Sequence, residues 1–336
     1  MINFYKMMFF NTMILGTLIS ISAYSWMSMW MGLEINLLSI IPLFKNKSTL
    51  SSEATLKYFI TQALASLILL FSIIMMMMMT EFIPQNFNLF LLMIMNSSLL
   101  TKMGAAPFHF WFPEVMEGLS WINCFILLTW QKIAPMILLM YNYQMPMFLF
   151  SIIILSMLIS GIMGLNQTSL RKIMTFSSIN HIGWMLSTMF NNQSIWMIYF
   201  IIYSIISLNI ILIFNFLNIF YLHQLYSKMN YNISMKLFFI MNFLSLGGLP
   251  PFLGFLPKWM TINYLINENL MFLAFIMIIL TLITLFYYIR ITFSTLTLNS
   301  SENLMLKSKI KNFPIMMINT ISLLSIIICT MIFNLM

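Results

Sequence analysis

The sequence predicts an all-α fold, a polytopic membrane bundle of about eleven transmembrane helices. Three observations carry this. The 336 residues are 61% hydrophobic and only 7% charged, whereas soluble domains carry roughly a quarter charged residues. Apolar stretches of about 20 residues recur along the whole chain, separated by polar or Pro/Asn punctuation. Lys and Arg gather in alternate loops, as expected of a chain threaded repeatedly through a bilayer.

The spans so read are 5–23, 25–44, 56–80, 86–118, 121–141, 146–166, 171–190, 194–222, 236–267, 270–293 and 313–335. The first follows Lys6 and runs on to Trp26, Trp30 and a second apolar stretch. It lacks the small-residue cleavage site of a secretory leader and the Arg- and Ser-rich character of a transit peptide, so it is expected to be a retained span. The second span carries Glu34, and the third ends in the run Met75 to Met79. Spans 86–118 and 236–267 exceed a simple crossing, and both hold Gly and Pro in the middle. Span 121–141 carries Lys132, and 171–190 carries His181 beside Ser177, Ser178 and Asn180. The last span, 313–335, has no diagnostic residue.

Threaded alternately, the loops on one side hold Lys6, Lys45, Lys47, Lys57, Arg171, Lys172, Lys228, Lys236, Arg290, Lys307, Lys309 and Lys311. The opposite loops hold only Glu81 and Glu268. The N-terminus is then expected on the matrix side and the C-terminus in the intermembrane space. The net charge of +8 is a topology signal, and no nucleic-acid partner is expected.

Residue usage points to a mitochondrial gene. There are 37 Met and 32 Phe, Asp is absent, and Val115 is the only valine. Packing does not explain this, because Val and Ala serve lipid-facing helices as well as Met does. An AT-rich gene read with ATA as Met would produce the skew. Cys124 and Cys329 are two lone thiols, too few to ligate an iron–sulfur cluster.

The two long spans share a pattern. Gly104-Ala105-Ala106-Pro107-Phe108 through Pro113 aligns with Gly248-Leu249-Pro250-Pro251-Phe252 through Pro257 at a constant offset. Interior proline breaks a helix, and irregular backbone at membrane depth survives only inside protein or beside a wet cavity. Paired breaks in two halves of a chain point to a transporter-like repeat. The bland alternative is a pair of packing kinks.

Ionisable residues fall inside the spans: Glu34, Lys102, Lys132, His181, Lys258 and, nearer an end, Glu114. A charge at the bilayer centre costs roughly 2.5–3.5 kcal/mol on insertion scales, so these groups must face one another or water. Lysine suits a relay, because burial disfavours an ammonium and a nearby carboxylate favours it. The alternative is a set of static ion pairs. Glu114 and Glu117 read as caps of a span end, and His109 and His223 as bystanders.

Met31-Gly32-Leu33-Glu34-Ile35-Asn36, Lys102 through Trp111, Trp130-Gln131-Lys132-Ile133-Ala134-Pro135, Gly164 through Lys172, Ser177 through Trp184 and Gly247 through Trp259 together resemble the chain 2 family of respiratory complex I, in an arthropod-like idiom. The resemblance implies one antiporter-like domain over 1–336. It comprises two inverted repeats, at about 25–190 and 194–293, with a terminal helix at 313–335. It implies a proton relay in which Glu34 pairs with Lys102, Lys132 and Lys258 carry charge along the midplane, and His181 links these sites. It implies no cofactor in this chain, with flavin, iron–sulfur clusters and quinone in other subunits. Expected partners are chain 4, chain 4L, accessory subunits and lipids such as cardiolipin, in the mitochondrial inner membrane. A stand-alone cation/proton antiporter and a structural subunit without a relay are the rival readings.

Overall fold

The computed structural model describes residues 4–46, 48–78, 85–190, 193–229, 233–250 and 252–297, together with Thr320. Apart from Thr320, the predicted span 313–335 lies outside these residues, as do Lys47, Glu81, Lys307, Lys309, Lys311 and Cys329. Among the described residues the chain is helical, and the one strand-like pairing is an isolated antiparallel bridge between Ser169 and Tyr221. The helices are α1 Phe4–Ser22, α2 Trp26–Phe44, α3 Thr49–Met78, α4 Gln85–Met103, α5 Trp111–Gly118, α6 Trp121–Leu128, α7 Trp130–Tyr141, α8 Pro146–Gly164, α9 Leu170–Thr188, α10 Gln193–Leu217, α11 Leu222–Met229, α12 Ile233–Gly247, α13 Phe255–Asn267 and α14 Met271–Thr297.

Seven stretches of the described residues are long and apolar enough to cross a membrane: α1, α2, α3, Trp121–Tyr141, α8, α10 and α14. The chain is an all-helical membrane protein. Helix α9 falls outside that set because it is rich in Ser, Thr, Asn and His; it is a buried helix, with every residue except Arg171 and Lys172 shielded.

Several boundaries differ from the sequence reading for identifiable reasons. Helix α3 starts at Thr49 rather than 56, because Ser48 Oγ accepts the Ser51 amide at 3.4 Å in the manner of an N-cap. Lys57 therefore lies within a helix, not a loop, and pairs with Glu53 one turn earlier at 2.9 Å. Span 121–141 is interrupted at Thr129, whose hydroxyl donates to the Phe125 carbonyl at 2.7 Å. Pro135 then withholds the amide that the Gln131 carbonyl would accept. Helix α10 stops at Leu217, before Asn218 with φ 48°. Lys228 Nζ donates to the Leu217 and Asn218 carbonyls at 2.7 and 3.1 Å, so this lysine caps a helix end.

The chain divides into two compact units, Met1–Ser156 and Met157–Met336. In the first, α1 packs along α2, and α3 packs against α2, α4 and α5, while α7 rests on α1, α4 and α6. In the second, α10 and α14 embrace α12 and α13, and both also touch α9.

The α1–α2 pair shows how close helices come when small residues meet. A Cβ at Gly32 would sit 2.5 Å from the Ser20 amide nitrogen, which is backbone and cannot swing away. Small residues permit this approach, and dispersion between the backbones replaces the hydrophobic drive that lipid does not supply. Gly32→Val is expected to destabilise the detergent-solubilised chain by roughly 1–3 kcal/mol, an overpacking cost. Denaturant unfolding followed by tryptophan fluorescence measures it, and an unchanged midpoint would mean the two helices separate freely.

Candidate functional site: lysines at two helix breaks

The first break follows α4. Gly104 has φ +74°, a conformation that penalises a side chain. The Gly104 amide donates to the Thr101 carbonyl at 3.2 Å and the Ala105 amide to the Leu100 carbonyl at 3.1 Å. These two bonds form a Schellman closure. Trp111 Nε1 reaches back from the start of α5 to the Thr101 carbonyl at 3.1 Å.

Lys102 stands in the last turn of α4 and is 7% exposed. It lines a small cavity of about 10 Å³ with Leu33, Asn36, Leu37, Tyr58, Gln62, Gln131 and Pro135, close to the size that holds one water. Glu34, on α2, interacts with Lys102 through space. No direct ion pair joins them among the described residues, and the buried Glu34 Oε1 accepts no hydrogen bond there. Lys132, at the start of α7, is 1% exposed, with its Nζ 5.7 Å from the centre of the Phe112 ring.

Polar partners that the sequence reading passed over surround this site. Asn36 Nδ2 donates to Gln131 Oε1 and Gln131 Nε2 donates to Asn36 Oδ1, each at 3.1 Å. The Tyr58 hydroxyl donates to Gln131 Oε1 at 3.3 Å. Gln62 is buried and its Nε2 has no hydrogen-bond partner. Their signal in sequence was adjacency: Asn36 follows Glu34 by two residues, and Gln131 precedes Lys132.

The second break has the same backbone. Gly248 has φ +76°; its amide donates to the Ser245 carbonyl at 3.0 Å and the Leu249 amide to Leu244 at 3.3 Å. Here the basic group comes from beyond the break. Lys258, on α13 and 6% exposed, donates from Nζ to the Gly247 carbonyl at 2.8 Å and the Leu246 carbonyl at 3.4 Å. A cation at the C-terminal end of α12 is favoured by the helix dipole. The Trp184 ring lies 5.8 Å from the same Nζ, within cation–π range.

His181 occupies α9 in the same unit. Its Nδ1 and the Tyr199 hydroxyl are hydrogen-bonded at 2.8 Å, and its ring centroid is 5.0 Å from that of Tyr203. Tyr203 and Tyr288 face Ser178 and Ser177, so the histidine stands within a buried cluster of hydroxyls.

Glu114 has a different employment: it is exposed and pairs with Lys57 at 2.9 Å. His109 is buried, with Nδ1 3.3 Å from the Pro107 carbonyl oxygen. Among the described residues no group of three or more His, Cys, Asp or Glu is placed to hold a metal ion.

The family model for the transmembrane part of NADH:quinone oxidoreductase and Mrp antiporters matches residues 23–284. The chain is 54% identical over 307 residues to NADH-ubiquinone oxidoreductase chain 2 of Anopheles gambiae, which covers 90% of both chains. It is 53% identical over 331 residues to the chain of the same name from Aedes aegypti, covering 97% of both. Among solved structures, a chain of respiratory complex I from Thermus thermophilus shares the fold with a TM-score of 0.86 at 20% identity, over 96% of this chain and 78% of that one. A chain of the Mrp complex from a Dietzia species does so with a TM-score of 0.78 at 14% identity, over 96% and 74%. A full-length match to insect sequences, on an antiporter-like fold with lysines at its helix breaks, makes this chain a member of the NADH:quinone oxidoreductase/Mrp antiporter family, among the NADH-ubiquinone oxidoreductase chain 2 proteins.

Proposed function

We propose that this chain is a proton-pumping membrane-arm subunit of respiratory complex I, part of an NADH:ubiquinone oxidoreductase of the mitochondrial inner membrane. The observation that carries the mechanism is the burial of Lys102, Lys132 and Lys258 within the helical bundle, at 7%, 1% and 6% exposure. An ionisable group inside a membrane segment is costly, and a functional role is its ordinary reason. Redox chemistry belongs to other subunits, which hold flavin, iron–sulfur clusters and quinone; this chain holds and moves protons.

In the proposed relay, quinone reduction elsewhere alters the electrostatics at the Glu34–Lys102 site. Glu34 and Lys102 act on each other through space without a locked ion pair, so a shift of α2 or α4 changes their interaction without first breaking a direct contact. The proton lost from Lys102 biases Lys132 and then Lys258, with His181 in the segment that links them. Lys258 has a built-in response. As an ammonium it is held by the α12 carbonyls; as an amine it keeps N–H donors but loses the charge–dipole attraction, worth roughly 0.3–2 kcal/mol, so that hold weakens.

The full topology belongs to the same proposal: a single domain over 1–336 with about eleven spans, inverted repeats at about 25–190 and 194–293, and a terminal helix at 313–335. Matching Schellman closures at Gly104 and Gly248 support the repeat. The loop asymmetry supports an N-terminus in the matrix and a C-terminus in the intermembrane space. Chain 4, chain 4L, accessory subunits and cardiolipin are the proposed neighbours. Exposed apolar side chains along α14, including Phe272, Phe275, Leu282, Phe286 and Phe293, require lipid or protein against them.

Lys102→Ala in the assembled complex is expected to lower NADH-driven proton pumping by roughly tenfold or more, measured as acidification in vesicles alongside uncoupled NADH oxidation. Pumping at the original rate would end the relay reading. Gly248→Ala tests the second break. The new Cβ would meet Lys258 Cδ at 2.7 Å and Nζ at 3.0 Å, whereas at Gly247 the nearest atom is 3.7 Å away. Gly248→Ala is therefore expected to reduce protons moved per NADH, with a stability cost of roughly 1–2 kcal/mol for the left-handed backbone. Gly247→Ala should leave the ratio unchanged. Equal ratios in the two variants would detach Lys258 from pumping.

A further inference from the structure

We propose that Asn36 and Gln131 are positioning residues of the proton path. Their paired amides lock the helix that carries Lys132 to the helix that carries Glu34, and form the polar wall of the Lys102 cavity. The inference rests on the proton-pumping reading above and adds residues to it.

The geometry has three parts. First, the pairing is reciprocal, with two hydrogen bonds of 3.1 Å between α2 and α7. Each side chain both donates and accepts, so the relative rotation of the two amides is fixed. Tyr58 adds a third bond at 3.3 Å to the Gln131 carbonyl oxygen. The Tyr58 ring is itself set edge-on to Phe44 at 5.4 Å and to Trp111 at 5.8 Å. Gln131 is thus a junction of α2, α3 and α7.

Second, backbone holding is weak where the side chain takes over. Pro135 supplies no amide to the Gln131 carbonyl, and Thr129 interrupts the helix just before it. The first turn of α7, with Lys132 in it, depends on the Gln131 side chain for its place more than a residue in an unbroken helix would.

Third, the pair faces the Lys102 cavity together with Gln62, whose buried Nε2 lacks a partner. A cavity of about 10 Å³ lined by an ammonium and amides suits one water, which would accept from Lys102 and from Gln62. Separating Asn36 from Gln131 would strand the buried Asn36 amide and the half-buried Gln131 amide, open this cavity and shift Lys132 at once. A polar pair that merely glues two helices would also lie between them, but its loss would change the amount of assembled complex and not the yield of pumping.

The test uses the intact complex carrying each variant, reconstituted in vesicles, with protons moved per NADH compared at equal amounts of assembled complex. Asn36→Leu and Gln131→Leu should each lower this ratio roughly threefold or more, and the double variant should be no worse than the more severe single, as for residues that act as one unit. The exchange Asn36→Gln with Gln131→Asn keeps both amides and the summed length, and should recover most of the ratio. A full ratio in either leucine variant, independent additive losses, or an exchange no better than the singles would overturn the proposal. Where the leucine variants fail to assemble, Gln131→Met decides, since it keeps the side-chain length, adds no charge and removes both hydrogen bonds to Asn36: a lowered ratio supports the pair and an unchanged one overturns it. Lys102→Ala run alongside separates the two levels. If it too pumps fully, the relay reading falls; if it fails to pump while Gln131→Leu succeeds, only the present inference falls.

Discussion

Lipid solvates neither a carbonyl nor an ammonium, and the architecture around both helix breaks follows from that. A helix that stops inside a membrane leaves backbone groups without partners, each costing several kcal/mol in hydrocarbon. The chain meets this twice with the same device. Gly104 and Gly248 turn the backbone into the left-handed region, so that amides past the helix end double back onto its last carbonyls. Side chains add to these closures: the Trp111 indole gives the Thr101 carbonyl a second donor, and the Lys258 ammonium reaches the Leu246 and Gly247 carbonyls that the second closure leaves over. The breaks are places where polar chemistry must be supplied, and so places where proton-carrying groups can be held.

The two breaks share a backbone but divide their charges differently. In the alignment of the segments, the position of Lys258 corresponds to Glu114, and that of Lys102 to Leu246. Glu114 turns outward to Lys57, and the first break draws its spare donor from an uncharged indole instead. Lys102 is thereby left facing its cavity rather than capping a carbonyl, under the influence of Glu34. Among the described residues Lys258 has no comparable carboxylate in contact, and it leans on the helix end and the Trp184 face. One lysine lies under the influence of a carboxylate that it does not touch, and the other is bonded to the carbonyls of a helix end.

Much of this was legible in sequence because membrane constraints act on composition and on punctuation. The span pattern, the paired Gly-Pro breaks and the misplaced charges are all violations of what lipid tolerates, and violations stand out in a chain with 7% charged residues. The early start of α3 was hidden because serines at a helix start look like loop residues until their hydroxyls are seen to cap. The interruption at Thr129 was hidden because hydropathy is blind to one hydroxyl turned onto a carbonyl. Asn36, Gln62, Gln131 and Tyr58 were passed over for another reason. A neutral amide or phenol is affordable in any bundle, and only distances separate a partner of a lysine from helix glue. The Glu34–Lys102 relation was legible as proximity, while the lack of a direct ion pair was not, since sequence carries no information about a few ångströms of separation.

That lack of a locked pair bears on how a membrane charge can switch at all. In a low-dielectric interior a tight, fully hydrogen-bonded ion pair is hard to open, because breaking it strands a buried charge at a cost of several kcal/mol. A lysine with no carboxylate nearby would tend towards the neutral amine. Lys102 lies between these limits: buried, beside a cavity sized for about one water, and acted on by a carboxylate that does not touch it. The proposed relay places its first switch at this intermediate arrangement. The Gly16–Gly32 contact bears on the place of α2, since α2 rests on α1 with backbone against backbone. Close packing thus constrains the helix that carries Glu34, and small residues at Gly16, Ser20 and Gly32 are what permit it.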